Sequence, residues 1–181
     1  MPYVYKKLFE KIASEKAPGP SPLFSVFHLI LAIELIAKKQ IGRSKLAENL
    51  RVGEGTVRTI LDRLKDAGLV TTSKDGCALT GKGLRLWKQY KSVFKKKIKI
   101  GKNELTLADC NFAILVKNRE HKIKSGVEQR DAAVMAGAKG ATTIIFEKGR
   151  LTIPSVSSDV AKDFPSAASQ IFRLLEPEEN D

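Results

Sequence analysis

The stretch GRSKLAENLRVGEGTVRTILDRLKDAGLV, residues 42–70, decides the fold of the first half of the chain. Its second part carries apolar residues at positions 57, 60, 61 and 64, the i, i+3, i+4, i+7 stripe of an amphipathic helix. A shorter helix is predicted over about 43–50, and the chain turns at 51–54. Gly68 ends the longer helix, because glycine commonly closes a helix C-terminus. Two helices joined by a tight turn are therefore expected.

Further elements are predicted on both sides of this stretch. Residues 69–72 and 77–79 indicate two short strands, because Asp75-Gly76 between them suits a tight hairpin turn. A basic helix is expected over 81–97. Upstream, an apolar helix ends near residue 39. A proline-rich linker at 16–21 separates that helix from an amphipathic helix over 3–15.

Helix, helix, turn, helix and then a hairpin is the element order of a winged helix-turn-helix. Residues 22–95 resemble winged-helix transcription regulators. The resemblance rests on Leu-Ala at 46–47, Thr-Val-Arg at 56–58, Gly-Leu-Val at 68–70 and Leu-Thr-x-Lys-Gly at 79–83. It implies a protein that binds double-stranded DNA by placing its third helix in the major groove.

Candidate DNA contacts follow from this resemblance. They lie at the starts of the second and third helices, in the wing and on the helix after it: Arg43, Ser44, Lys45, Glu54, Thr56, Arg58, Thr59, Arg63, Lys74, Lys82, Arg85 and Lys88. Arg58 can bond guanine with two hydrogen bonds or grip a phosphate. The turn Gly53-Glu54-Gly55 departs from the family, where a basic or hydroxyl residue is common. Glu54 can accept from cytosine, or it can only cap the helix.

The net charge of +12 is uneven along the chain. Residues 1–100 hold 21 Lys+Arg and 8 Asp+Glu, whereas residues 101–181 hold 11 and 12. Nine basic residues and no acid lie between Gly76 and Asn103. Such a basic half favours nucleic acid as partner, since phosphates attract Lys and Arg. The alternatives are a solvated lysine surface, or a linker helix that also dimerises through its aromatic side.

The second half predicts a small α/β domain. Strands are expected over 111–116, 141–146 and 150–153, with helices over 125–137 and 165–175, before an acidic tail at 176–181. Strand, helix, strand indicates a crossover unit. The predicted fold class is thus mixed, α+β or α/β, with a winged-helix domain at 1–97 and a regulatory or dimerisation domain at 98–181.

A polar cluster in this half can bind an anionic effector at a helix N-terminus. Its candidate residues are Lys124, Ser125, Gly126, Gln129 and Arg130. The competing interpretation is a capping box between Ser125 and Glu128, with surface charges beside it. The run from 125 to 141 also resembles an uncharacterised C-terminal domain found on archaeal winged-helix proteins, which implies no known ligand.

Several classes of function lack their motifs. The two cysteines, Cys77 and Cys110, and the two histidines have no metal-ligand spacing, so no metal, cofactor or catalytic residue is predicted. The most apolar window, 23–37, is too short to span a bilayer, and no signal peptide is found. We therefore expect a cytoplasmic, homodimeric DNA-binding regulator that is not an enzyme. The alternatives are an enzyme with an N-terminal winged helix, resembling small-molecule kinases, and an RNA-binding or protein-interaction module.

Overall fold

A computed structural model gives the structure of the chain and describes residues 2–14 and 22–181, with side chains from residue 7 onward. Contacts divide the chain into unit 1, Met1–Lys91, and unit 2, Ser92–Asp181. This boundary comes earlier than the predicted one after residue 97. The linker predicted at 16–21 lies outside the described residues.

Unit 1 is built mainly from helices. Its elements are α1 (Pro2–Ala13), α2 (Val26–Lys38), α3 (Arg43–Leu50), α4 (Glu54–Asp66), β1 (Val70–Ser73), β2 (Gly76–Leu79) and α5 (Gly81–Val93), whose last two residues are counted with unit 2. The strands pair antiparallel around a two-residue turn, with Ser73 opposite Gly76. The backbone of Ile41 bridges to Cys77 on the other side of β2. The predicted order of helices and hairpin is confirmed.

The core of unit 1 lies between α1, α2, α3, α4 and the hairpin. The apolar stripe predicted on α4 is buried, with each of its side chains no more than 2% exposed: Val57, Ile60, Leu61 and Leu64. Leu29 and Ile33 of α2 and Leu46 of α3 are buried with them. Each such aliphatic side chain contributes roughly 1.5–3 kcal/mol of burial energy. The packing therefore fixes which side of α4 remains exposed.

The segment 79–83, LTGKG, ties the hairpin and α5 to the end of α4. Thr80 caps α5, since its hydroxyl oxygen accepts from the Gly83 N–H at 3.0 Å and donates to the Gly68 carbonyl at 2.7 Å. A Cβ on Gly83 would lie 2.1 Å from the Leu69 carbonyl oxygen. Glycine is therefore required for the close approach of α5 to the chain entering the hairpin.

Unit 2 contains two small antiparallel sheets and three α-helices among its described elements. The strands are β3 (Phe94–Ile100) paired with β4 (Asn111–Val116), and β5 (Ile145–Glu147) paired with β6 (Arg150–Thr152). The helices are α6 (Val127–Met135), α7 (Val160–Asp163) and α8 (Pro165–Leu175), with a 3-10 turn at Glu120–Lys122. The chain is therefore of the predicted mixed class, with helices and small antiparallel sheets.

Two sequence predictions about this unit's architecture are wrong. The basic helix predicted over 81–97 ends at Val93, and Phe94–Ile100 forms strand β3. Alternation of Phe94, Ile98 and Ile100 with lysines suits a strand, and pairing with β4 overrides the helical pattern. The crossover unit is also absent, because β4 and β5 lie in separate antiparallel sheets.

The acidic segment 176–181 is packed into unit 2. Glu176 pairs with Lys96 at 2.7 Å, and Lys117 pairs with both Glu178 at 2.8 Å and Asp181 at 2.9 Å. The backbone of Asp181 accepts from the Phe146 N–H at 2.9 Å. We call this segment the acidic strap, because it joins β3, the end of β4 and β5.

Candidate nucleic-acid interface

A groove between α4 and the hairpin brings basic side chains together in unit 1. Its volume is about 370 Å³. It is lined from three directions by Gly42, Arg43, Arg58, Leu61, Asp62, Lys65, Thr72, Ser73, Lys74, Gly76 and Cys77. We call this the basic groove. Four of its side chains are cationic and one, Asp62, is acidic.

The α4 side of the groove follows from helical geometry. Arg58, Leu61, Asp62 and Lys65 stand at i, i+3, i+4 and i+7, so they lie along one side of the helix. Leu61 is buried and closes the base of the groove, whereas Arg58 is exposed. Lys65 pairs with Asp62 at 3.1 Å, which neutralises the acid locally. The groove therefore carries an excess of positive charge.

The Cys77 side chain lies in the groove, where burial and nearby cations affect its pKa. Its side chain is 2% exposed. Burial raises the pKa of the Cys77 thiol, while the nearby cations of Lys65 and Arg43 oppose that rise because they favour the thiolate. The thiol is therefore protonated near neutral pH and contributes as a small apolar side chain.

The groove contains three of the predicted DNA contacts, namely Arg43, Arg58 and Lys74. The others do not line it. Lys45 pairs with Glu48 at 2.7 Å, and the Thr59 hydroxyl donates to the Gly55 carbonyl at 3.2 Å. The remaining exposed or half-exposed positions are Ser44 on α3, Glu54 and Thr56 at the start of α4, and Arg85 and Lys88 on α5.

Two predicted contacts, Arg63 and Lys82, bind backbone groups within unit 1. The Arg63 guanidinium donates to the Ile12 carbonyl at 2.8 Å, and it lies 5.1 Å from the centre of the Phe24 ring. The Lys82 ammonium donates to the Ala67 carbonyl, at 2.8 Å, at the end of α4. Both cations therefore tie elements of unit 1 together, a role that residue type alone does not reveal.

Sequence reasoning missed four polar members of the groove: Asp62, Lys65, Thr72 and Ser73. For Lys65 a signal was present, because it stands seven residues after Arg58 and so shares its side of the helix. For Thr72 and Ser73 the signal is the hairpin register, which places them just before the turn.

The start of α4 has an open surface. Its N-cap is Gly53, which offers no side chain to the first N–H groups of the helix. A Cβ added at Gly53 or Gly55 would meet nothing within 4 Å. The Glu54 side chain lies in the first helical turn, where a negative charge suits the helix dipole. The capping interpretation of Glu54 is consistent with this position.

The proposed effector residues lie around the start of α6. Lys124, Ser125, Gln129 and Arg130 are exposed, and the Arg130 guanidinium bonds to Asp131 at 2.9 Å. The predicted capping box is wrong, because Gly126 is the N-cap and makes no side-chain cap hydrogen bond. Its φ of 77° is left-handed and its position faces Thr143, so glycine suits this site.

Two further features, a membrane-spanning helix and a metal-binding cluster, are not found in the described part of the chain. None of its helices has both the length and the apolar character needed to cross a membrane. Within residues 2–14 and 22–181, no group of three or more His, Cys, Asp or Glu side chains is placed to hold a metal ion.

Two family models match separate parts of this mixed α+β chain. Residues 28–85 match the model described as "PH0730-like, N-terminal domain", and residues 107–181 match "Domain of unknown function (DUF4443)". Among solved structures, the chain is similar to the hypothetical protein PH0730 from Pyrococcus horikoshii OT3, an archaeon. The two are 28% identical with a TM-score of 0.62, over 86% of this chain and 78% of that chain. A comparison with curated proteins finds no match.

Proposed function

We propose that unit 1 binds double-stranded DNA through the basic groove and that the chain acts as a sequence-specific transcription regulator. The observation that carries this proposal is the convergence of Arg43, Arg58, Lys65 and Lys74 from two helices and a hairpin. A groove with one acid against four cations attracts phosphates.

The exposed side of α4 supports a role in reading bases. An α-helix fits the major groove, which is about 12 Å wide. Because the apolar stripe of α4 is buried, Arg58 is presented outward. A guanidinium can donate two hydrogen bonds to the O6 and N7 atoms of guanine. Lys74, at the hairpin turn, then contacts the phosphate backbone beside the helix.

The contact at Arg58 is tested by measuring duplex affinity. We expect Arg58→Ala to weaken specific binding by about 1–3 kcal/mol, measured by fluorescence anisotropy on a selected duplex. The matched control is Arg173→Ala, which removes an exposed arginine from α8 of unit 2. If Arg58→Ala bound every duplex like the parent, Arg58 would contact neither base nor phosphate.

The biological role requires a selection from the native genome. Fragments bound by the full chain would be sequenced, with and without a metabolite extract. A shared palindrome supports a homodimeric regulator, whose half-sites would lie about one helical turn, roughly 34 Å, apart. A change of enriched fragments with the extract supports an effector that binds unit 2, with Lys124 and Gln129 as candidate ligands. No enrichment above bulk DNA would contradict a sequence-specific regulator.

A further inference from the structure

The β3–β4 sheet of unit 2 has one side on which lysines and large apolar side chains are exposed. In the antiparallel register, Lys97 lies opposite Ile114 and Lys99 lies opposite Phe112. Directly opposed residues share a side of the sheet. Phe112 is 59% exposed and Ile114 is 52% exposed. These four residues form what we call the lysine–phenylalanine face.

The opposite side of the same sheet belongs to the fold of unit 2. Leu115 is buried there, opposite Lys96, and Lys96 bonds to Glu176 of the acidic strap. Helix α8 packs against both strands. These contacts fix the orientation of β3, so that Lys97 and Lys99 are directed to the other side. The register is irregular between Phe94 and Lys96, and the Lys95 ammonium contacts Glu178 of the acidic strap at 3.5 Å. The lysine–phenylalanine face is therefore a consequence of how the sheet packs.

The charge of this face selects an anionic partner. Alternate residues of a strand are about 6.8 Å apart, so Lys97 and Lys99 lie in a short row along β3. The four residues that define the face include no acid. A second copy of the chain docking by the same face would place lysine rows against each other, which is unfavourable. An extended polyanion meets the row without that repulsion.

The exposed phenyl ring of Phe112 indicates which kind of polyanion suits the face. Aromatic side chains beside cations are the platforms on which unpaired bases stack while lysines follow the phosphates. A duplex does not offer its base faces in this way. The four side chains of the face include no hydroxyl or amide, so a ribose 2′-OH placed against Phe112 and Ile114 would lose water without gaining a partner. Deoxyribose avoids that loss.

We propose that the lysine–phenylalanine face binds single-stranded DNA, with one base stacked on Phe112 and the phosphates beside the lysines of β3. This proposal does not depend on duplex binding by unit 1. It adds a second nucleic-acid surface on unit 2, with a different form of DNA as its ligand.

The test uses the full chain and a fluorescent oligo-dT strand of about 15 nucleotides, long enough for one binding site. We expect Phe112→Ala to weaken binding roughly tenfold, through loss of stacking. Lys99→Gln is expected to weaken binding and to reduce the salt dependence by about 0.7 in the logarithmic slope, because one phosphate contact is lost. The matched controls are Leu107→Ala and Lys162→Gln, which change exposed residues elsewhere in unit 2.

The outcomes separate this proposal from the proposed function. Arg58→Ala should leave binding of the dT strand unchanged, and Phe112→Ala should leave duplex binding unchanged. The proposal is overturned if the parent does not bind the dT strand, or if Phe112→Ala and Leu107→Ala lose affinity equally. Tighter binding of an oligo-U RNA would overturn the assignment to DNA. A change of molecular mass in light scattering for Phe112→Ala, with strand binding intact, would instead make the face a contact between copies.

Discussion

Gly83 is the residue at which packing is least tolerant of change. Its missing Cβ would lie 2.1 Å from the Leu69 carbonyl oxygen, closer than any real contact. We expect Gly83→Ala to destabilise the chain by about 1–3 kcal/mol or more, because the backbone of α5 must move away. Urea unfolding followed by circular dichroism measures this change.

Gly81 provides the control for that measurement. It lies two residues earlier in the same helix, and a Cβ there would only meet the flexible end of Arg85 at 3.7 Å. Gly81→Ala should be neutral or stabilising by up to about 1 kcal/mol, since alanine loses less entropy than glycine in a helix. Equal destabilisation by the two substitutions would show that contact with Leu69 is not the cause.

Three basic residues show which side-chain positions the sequence predicts and which it does not. The sequence predicts that Arg58 lies on the exposed side of α4, because the apolar stripe fixes the helix rotation, and Arg58 is exposed. Arg63 lies on the same helix, yet its guanidinium donates to the carbonyl of Ile12 in α1 and to that of Ser14 just after it. Lys82 is predicted as a DNA contact from the Leu-Thr-x-Lys-Gly stretch, but its ammonium donates to the Ala67 carbonyl at the end of α4. These carbonyl groups come close to the cations only in the folded chain. The residue type alone, Arg or Lys, therefore does not show whether a side chain binds the backbone or faces solvent.

The sequence predicts elements whose pattern lies within their own residues, such as α8. It does not predict a strand that depends on pairing with a distant segment. Helix α8 occupies the predicted residues 165–175, since its amphipathic pattern is contained in its own sequence. The sequence predicts a helix where β3 forms, because Trp87, Tyr90 and Phe94 fit one helical side. Its strand conformation depends on β4, whose residues come well after it in the chain. Residues 81–97 alone therefore contain no pattern that indicates the pairing of β3 with β4.

The acidic strap gives an element-scale prediction about pH. The hydrogen bond from Lys96 lowers the pKa of Glu176, and that from Lys117 lowers the pKa of Glu178. Because the folded pKa values lie below the unfolded value of 4.5, the strap stabilises the fold above that pH. This contribution is lost as the pH falls through the lowered values. Thermal unfolding between about pH 7 and pH 3 measures it.

The double variant Glu176→Gln, Glu178→Gln isolates the strap from other acid effects. It should unfold at a lower temperature than the parent at neutral pH, and the two should converge in acid, where the parent's carboxylates are also neutral. Both side chains are largely exposed, so high salt should shrink the difference. The control Glu128→Gln, on α6, should follow the parent throughout. A difference that persists unchanged at low pH would mean that charge pairing does not hold the strap.

For the whole molecule, the charge is divided less unevenly between unit 1 and unit 2 than between residues 1–100 and residues 101–181. Residues 1–91 hold 17 Lys+Arg and 8 Asp+Glu, and residues 92–181 hold 15 and 12. Four lysines of the acid-free stretch belong to β3 of unit 2. Within that unit, Lys95 and Lys96 pair with the acidic strap. The basic stretch is thus shared between two folded units.

This division predicts how salt acts on the whole chain. If Arg43, Arg58 and Lys74 each neutralise one phosphate, duplex affinity should fall roughly 40-fold between about 50 and 200 mM salt, from a logarithmic slope near −0.9 for each contact. Lys74→Gln should reduce the slope by about 0.9. Lys99→Gln should leave the slope for duplex unchanged, because Lys99 belongs to unit 2. A reduced slope for both variants would mean that one duplex contacts both units, which would contradict separate surfaces for duplex and single strand.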